Sequence, residues 1–196
     1  MLTWRQFAEL PIFPEFYRLI RGLFGIDIAI LSPDGCEGLV PGQGRELNRF
    51  CREINRTTEG RSRCQACNTE HAAQAARQLQ PVSYVCHAGL TELIVPIIIG
   101  ERVIAHLQCG QMLGGDPHER AWARTRAKVA PFLRDAAGLR AAFMTSPVIP
   151  LKRRRQLASL LQLFSYHVAL AHERLLLLEQ EPQDRVLGAA LEYLKA

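Results

Sequence analysis

Three β-rich segments in close succession limit the architecture more than any other feature of the chain. Val82–His87, Glu92–Ile99 and Arg102–Cys109 are dense in branched apolar residues, and the last two are separated only by Gly100-Glu101. A glycine-first two-residue link fits a type II′ turn, so these strands are expected to pair antiparallel. Pro81 stops whatever precedes them, and Gly114-Gly115-Asp116-Pro117 is a loop that follows. Such a sheet must be covered by helices, and the flanking sequence supplies them.

Residues 3–24 read as helix with restarts at Pro11 and Pro14, closed by Gly25. Ile26–Leu31 reads as a strand, Ser32-Pro33-Asp34-Gly35 as a turn, and a short second strand is expected to reach Val40. Pro41-Gly42-Gln43-Gly44 is a loop. Residues 45–57 form a helix with Leu47, Phe50, Cys51 and Ile54 on one face, and Gly60 interrupts the pattern. A second helix runs from a cap at Ser62 to about Gln80. Two more helices are expected at roughly 117–133 and 135–144. The predicted fold class is α+β, an antiparallel sheet of PAS or GAF type with helices inserted after its second strand.

The last segment carries a different period. Leu157, Leu161, Phe164, Val168, Ala171, Leu175 and Leu178 alternate in steps of four and three between Lys152 and Glu179. That spacing fits the seam of a parallel dimer helix, which would pass a signal onward, and it equally fits a helix lying on its own domain. The resulting division is a sensory domain over 1–147, a linker helix over 148–181, and a further helix beginning within 182–196. The basic run Lys152-Arg153-Arg154-Arg155 is read as a solvated helix start rather than a phosphate-contacting patch.

The net charge of +5 is spread along the chain, with few aromatics among the arginines, which argues against a stacking surface for single-stranded nucleic acid. The longest apolar run, Leu93–Ile99, is interrupted by Pro96 and falls well short of the ~20 residues a membrane helix needs. With no signal-peptide pattern at the N-terminus, a cytoplasmic location is expected. There the six cysteines would be reduced, so that metal ligation or thiol chemistry outranks disulfides.

Cys64-Gln65-Ala66-Cys67 places two thiols on one helix face, with His71 one turn further on that face. Cys51 lies on the inward face of the preceding helix, and Cys86 ends a strand just past the second. Cys51, Cys64, Cys67 and Cys86 are therefore the candidate metal ligands, suited to zinc or an iron–sulfur cluster. The spacing matches no standard zinc module, and redox-active thiols or simple core packing remain alternatives. His106 and Cys109 should face opposite ways on a regular strand. Cys86 and His87, adjacent on a strand, point apart and make a poor nucleophile–base pair. With no HExxH and no phosphate-cradling glycine loop, a regulatory role is favoured over an enzyme; a cysteine-dependent enzyme and a plain dimerisation module are the alternatives.

Phe50-Cys51, Arg63-Cys64, Tyr84-Val85-Cys86-His87-Ala88-Gly89-Leu90, Val95-Pro96-Ile97 and Gly110-Gln111 resemble, in sequence and order, the PocR sensory-domain family over residues 5–145. The resemblance implies a modified PAS fold that senses a small molecule such as a short diol, at the N-terminus of an AraC-type regulator or in a signalling kinase. It carries over Cys51, Cys64 and Cys86 as family positions, whereas Cys67 varies there. Tyr84, His87, Cys109 and Gln111, together with His71, are the candidate ligand-contacting residues. Val186–Leu194 resembles the first helix of an AraC-type helix-turn-helix, so DNA contact would come only through a C-terminal domain this chain lacks. The expected partners are a second copy of the chain and a small-molecule effector, with no membrane.

Overall fold

A computed structural model describes residues 3–39, 48–132 and 135–193. Two short helices, α1 (Trp4–Ala8) and α2 (Ile12–Phe24), lead into strands β1 (Ile28–Leu31) and β2 (Gly38–Leu39). Helices α3 (Arg49–Asn55) and α4 (Thr58–Gln78) follow, then β3 (Val82–Val85), β4 (Thr91–Ile99) and β5 (Arg102–Met112). Helices α5 (His118–Val129) and α6 (Ala136–Phe143) precede α7 (Leu151–Tyr193). The expected continuation of the second strand through Val40, the loop 41–44 and the first residues of the helix placed at 45–57 lie outside the described residues.

The five strands form one antiparallel sheet in the order β2-β1-β5-β4-β3. Side-chain alternation along the strands splits the core into two faces. Ile28, Ile30, Leu93, Val95, Ile97, Ala105, Leu107 and Cys109 pack against α1, α2 and α7. Ala29, Leu31, Val82, Tyr84 and Ile94 point the other way, onto Ala72 and Ala75 of α4. A third cluster, built on Phe50, Leu90, Val129, Leu139 and Phe143, joins α3, α5 and α6 beside α4.

Two helix boundaries differ from expectation. The cap of α4 is Thr57, whose Oγ1 accepts the Gly60 N–H at 3.0 Å, and not Ser62. Gly60 therefore lies in the first turn rather than between helices. A Cβ there would overlap the Ile54 carbonyl, so glycine permits the tight α3–α4 corner. The second difference follows residue 181, where the linker helix was expected to give way to another; α7 continues through Pro182 to Tyr193. Proline costs a helix one hydrogen bond and a local clash, which can bend the helix without ending it.

The heptad stripe is occupied within the domain. Leu157 and Leu161 are fully buried and Val168 nearly so, while Phe164 stacks on Phe16 with ring centroids 3.6 Å apart. Ala171 is exposed, and the side chains of Leu175 and Leu178 lie outside the described set. The basic run at the start of α7 is partly structural. Arg153 donates to the Leu23 carbonyl at 2.8 Å and lies over the Phe24 ring, and Arg154 donates to the Gly114 carbonyl at 3.3 Å. Among the described residues no helix is long and apolar enough to cross a membrane.

Because Leu161 anchors α7 in the core of its own chain, Leu161→Ala should cost ~2–5 kcal/mol of unfolding free energy. Urea denaturation at several protein concentrations checks this. The loss should be independent of concentration, whereas a residue committed to a dimer seam would give a concentration-dependent loss.

Candidate functional site

A cavity of about 230 Å³ lies between α4, the corner after β3 and the polar part of the sheet. Its walls come from one face of α4, where Cys64, Cys67 and Asn68 share the inward side, and from Cys51 and Asn55 on α3. Glu92, Gln108 and Gln111 contribute from β4 and β5, and Cys86 and His87 from the corner.

The corner exists because β3 ends at Val85. The Cys86 N–H donates to the Leu90 carbonyl at 2.8 Å and the Gly89 N–H to the Cys86 carbonyl at 2.9 Å. With the strand ended, Cys86 and His87 both line the cavity and no longer point to opposite faces. His87 Nε2 sits 3.1 Å from the Cys64 Sγ. The histidine thus meets a thiol from α4 rather than its sequence neighbour, which is the pairing the strand argument had dismissed.

A bulge shapes the opposite wall. Thr91 pairs with Met112 and Leu93 with Cys109, so Gly110 and Gln111 together oppose Glu92. Gln111 takes a left-handed φ of 56°. A Cβ at Gly110 would overlap the Glu92 carboxylate, so glycine lets that buried side chain fold over the strand. Glu92 accepts the Gln111 N–H at 3.0 Å. The Gln111 side chain accepts the Asn48 N–H at 2.7 Å, and Asn48 Nδ2 donates to the Gln111 carbonyl and to Ser146 Oγ. Asn48 also caps α3, accepting from the Phe50 and Cys51 N–H groups. The bulge, the start of α3 and the end of α6 are thereby tied to one side chain.

The buried polar groups near the cavity are mostly matched. Tyr84 donates to Asn68 Oδ1 at 3.2 Å, and Gln108 Nε2 donates to the same oxygen at 2.9 Å. Gln108 Oε1 and His106 Nε2 are exceptions: both are buried and have no hydrogen-bond partner among the described residues. A buried acceptor without a donor costs free energy until something supplies one.

The expected site residues divide accordingly. Cys51, Cys64, Cys67, Cys86, His87 and Gln111 line the cavity. His71 and Tyr84 stand behind the wall, stacked with centroids 3.7 Å apart, and His71 Nδ1 lies 2.7 Å from the Cys67 carbonyl oxygen. Cys109 does not join them. It is buried on the sheet face that packs under α2 and α7, because the bulge begins one residue too late to turn it. The four thiols share a cavity, but among the described residues no three His, Cys, Asp or Glu side chains are grouped closely enough to hold a metal ion. Cys36, which follows the turn after β1, lines the cavity, with its sulfur 3.5 Å from Thr69 Oγ1. Glu92, Gln108, Asn55, Arg61 and Asn68 were missed. The signal for two of them was present: a lone acid inside an apolar strand, and polar residues at 106 and 108 of another.

Burial sets the protonation states. It pushes the Cys86 thiol up to about 12, with the Glu92 charge adding to the effect, and raises Cys67 in the same direction. Cys109 is also raised by burial. Burial lowers His87, helped by the Arg63 charge, and lowers His106. The fold therefore favours the neutral thiols of Cys67, Cys86 and Cys109 and the neutral imidazoles of His87 and His106. In the unfolded chain thiols lose protons near ~8.5 and imidazoles gain them near ~6.5. Stability should hence fall as pH rises above the first value, continuing toward about 12 for Cys86. It should also fall as pH drops through the second, where the unfolded chain takes up protons that the buried imidazoles refuse. Urea midpoints across pH check both limbs, and Cys86→Ala should flatten the alkaline one.

A profile described as the sensory domain found in PocR matches residues 7–172. The regulatory protein PocR of Salmonella typhimurium is 30% identical over 63 residues, which are 32% of this chain and 21% of that protein. The alignment thus spans about a fifth of the relative's length. An IclR homolog from Microbacterium hydrocarbonoxydans, solved with 4-hydroxybenzoate, aligns over 73% of this chain and 69% of its own at 16% identity, with a TM-score of 0.31. At that score the likeness carries no weight for fold or ligand. The profile match covers most of the chain, including the α4 face, the corner after β3 and the Gly110-Gln111 bulge: the chain belongs to the family of PocR sensory domains.

Proposed function

We propose that this domain senses a small, uncharged, hydroxyl-bearing molecule in the cavity beneath α4 and passes its occupancy to α7. Membership of a sensory-domain family gives the regulatory role. The observation that carries the ligand class is Gln108, a residue of the cavity wall whose Oε1 is buried without a donor, so that a small turn of the amide would offer that oxygen to a ligand hydroxyl. Asn55, Asn68 and Gln111 offer further neutral hydrogen-bonding groups, and burial keeps Cys67 and Cys86 as thiols that favour apolar contact. A cavity of this size suits a ligand of a few heavy atoms. Zinc or an iron–sulfur cluster is not part of this reading.

A route to α7 runs along β5. The strand that carries Gln108 and Gln111 continues to Leu113, whose N–H donates to the Pro147 carbonyl at 2.8 Å and whose carbonyl accepts the Ile149 N–H at 3.0 Å. Gly114 then accepts from Arg154 on α7. A ligand that favours one setting of the bulge would bias the base of the helix through these bonds. The strand order and the helices between β2 and β3 support a PAS-like description. Dimerisation through α7 would use Leu163, Tyr166 and Leu170, which are exposed, rather than the buried stripe. DNA contact belongs to an AraC-type region of which 182–196 would be the beginning.

Calorimetric titration with a series of short alcohols and diols tests the reading. Gln108→Leu should weaken binding by about tenfold, equivalent to ~1.4 kcal/mol, with the fold unchanged by circular dichroism. Equal affinity in the variant, or no heat from any of the series, would overturn it.

A further inference from the structure

The pairing of Cys64 with His87 has no role in the reversible binding just described. Cys64 is half-buried, lines the cavity, and holds its Sγ 3.1 Å from an imidazole nitrogen. Cys67 also has an imidazole nearby, but its Sγ lies 3.8 Å from His71 Nδ1, a nitrogen that sits only 2.7 Å from the Cys67 carbonyl oxygen. Asn55 Nδ2, fixed by its bond to the Cys51 carbonyl at 2.8 Å, lies 3.6 Å from the Cys64 sulfur. Nucleophile, proton acceptor and amide donor therefore border one small, partly open cavity, and Gln108 forms part of its wall. These are the parts that addition to a carbonyl requires.

We infer that Cys64 is a reversible covalent capture point for a short hydroxyaldehyde, with His87 relaying the proton. In the step, the Cys64 thiol gives its proton to His87 Nε2, and the sulfur electron pair forms a bond to the aldehyde carbon. The carbonyl π pair moves onto oxygen, facing Asn55 Nδ2, and His87 returns the proton to that oxygen. The product is a neutral hemithioacetal; nothing is oxidised or reduced, no group leaves, and no co-reactant is consumed. Reversal follows the same path, so the signal resets when the aldehyde is depleted. A peroxide acting on the same sulfur would require a separate reductant to reset it. The inference rests on the cavity being the effector site and adds a bond-forming step to it.

Glycolaldehyde labelled with ¹³C at the carbonyl, compared with ethylene glycol, separates the two claims. In the wild-type chain the labelled carbon should move to a tetrahedral, sulfur-bonded position distinct from that of the hydrate. Glycolaldehyde should bind at least about tenfold more tightly than ethylene glycol. Cys64→Ser should abolish the new resonance and leave glycolaldehyde binding no tighter than ethylene glycol does in the same variant. His87→Gln should slow iodoacetamide alkylation of Cys64 on the order of 100-fold, with glycolaldehyde protecting that cysteine in the wild type. If Cys64→Ser binds glycolaldehyde as the wild type does, or no sulfur-bonded carbon appears while the diol binds, the covalent step is overturned and the cavity reading stands. If neither compound binds, both are overturned.

Discussion

A buried polar strip on the sheet is the constraint from which the rest of the architecture follows. Glu92, His106 and Gln108 project from central strands onto the face that α4 covers, and each is at most 7% exposed. Polar groups removed from water must be given partners. Helix α4 supplies Asn68 for Gln108 and Tyr84, the bulge supplies the Gln111 N–H for Glu92, and the β1–β2 turn supplies the Ser32 carbonyl for His106. Those supplies fall short at His106 Nε2 and Gln108 Oε1, and beside Gln108 and the α4 thiols α4 does not close completely on the sheet. The cavity is the remainder of that incomplete match. The other sheet face has no such strip and closes into a continuous apolar core under α2 and α7.

Much of the fold was legible because it depends on local pattern. Apolar runs bounded by Pro81 and by Gly100-Glu101 located three strands and their pairing, and the spacing of Cys64 and Cys67 put both on the α4 face that lines the cavity. What escaped depends on pairing or on packing. The Gly110-Gln111 bulge is a relation between two strands and leaves no periodic trace, so the positions of Gln111 and Glu92 could not be read. The early end of β3 had the same effect on His87: two residues more of strand would have put it on the face opposite Cys86. Thr57 and Ser62 are equally good caps in isolation, and the contact of Gly60 with the Ile54 carbonyl selects between them.

The long helix shows a different kind of ambiguity. A stripe repeating in steps of four and three describes a dimer seam and a core-facing surface equally well, because both place one apolar face every two turns. Leu157, Leu161, Phe164 and Val168 are taken up by the sheet and α2, while Leu163, Tyr166 and Leu170 form a second, exposed row. The residues with the cleaner heptad spacing are those that hold the domain together.

Helix α7 is fastened to the body near both ends of its packed portion, by Arg153 and Arg154 at its base and by Glu173, which accepts the Gly100 N–H at 2.7 Å from the β4–β5 hairpin. Beyond Glu173 the helix extends for the twenty residues from Arg174 to Tyr193, a length of roughly 30 Å at the usual rise. That geometry makes a lever. A tilt of ~5° about the hairpin, small enough to be absorbed by side-chain adjustment at the base, would carry the far tip through ~3 Å over such an arm. That displacement rivals the helix shifts by which packed interfaces change state. A helix that stays straight through Pro182 would thus report a sub-ångström event in the cavity at a distance, with no element of the domain unfolding.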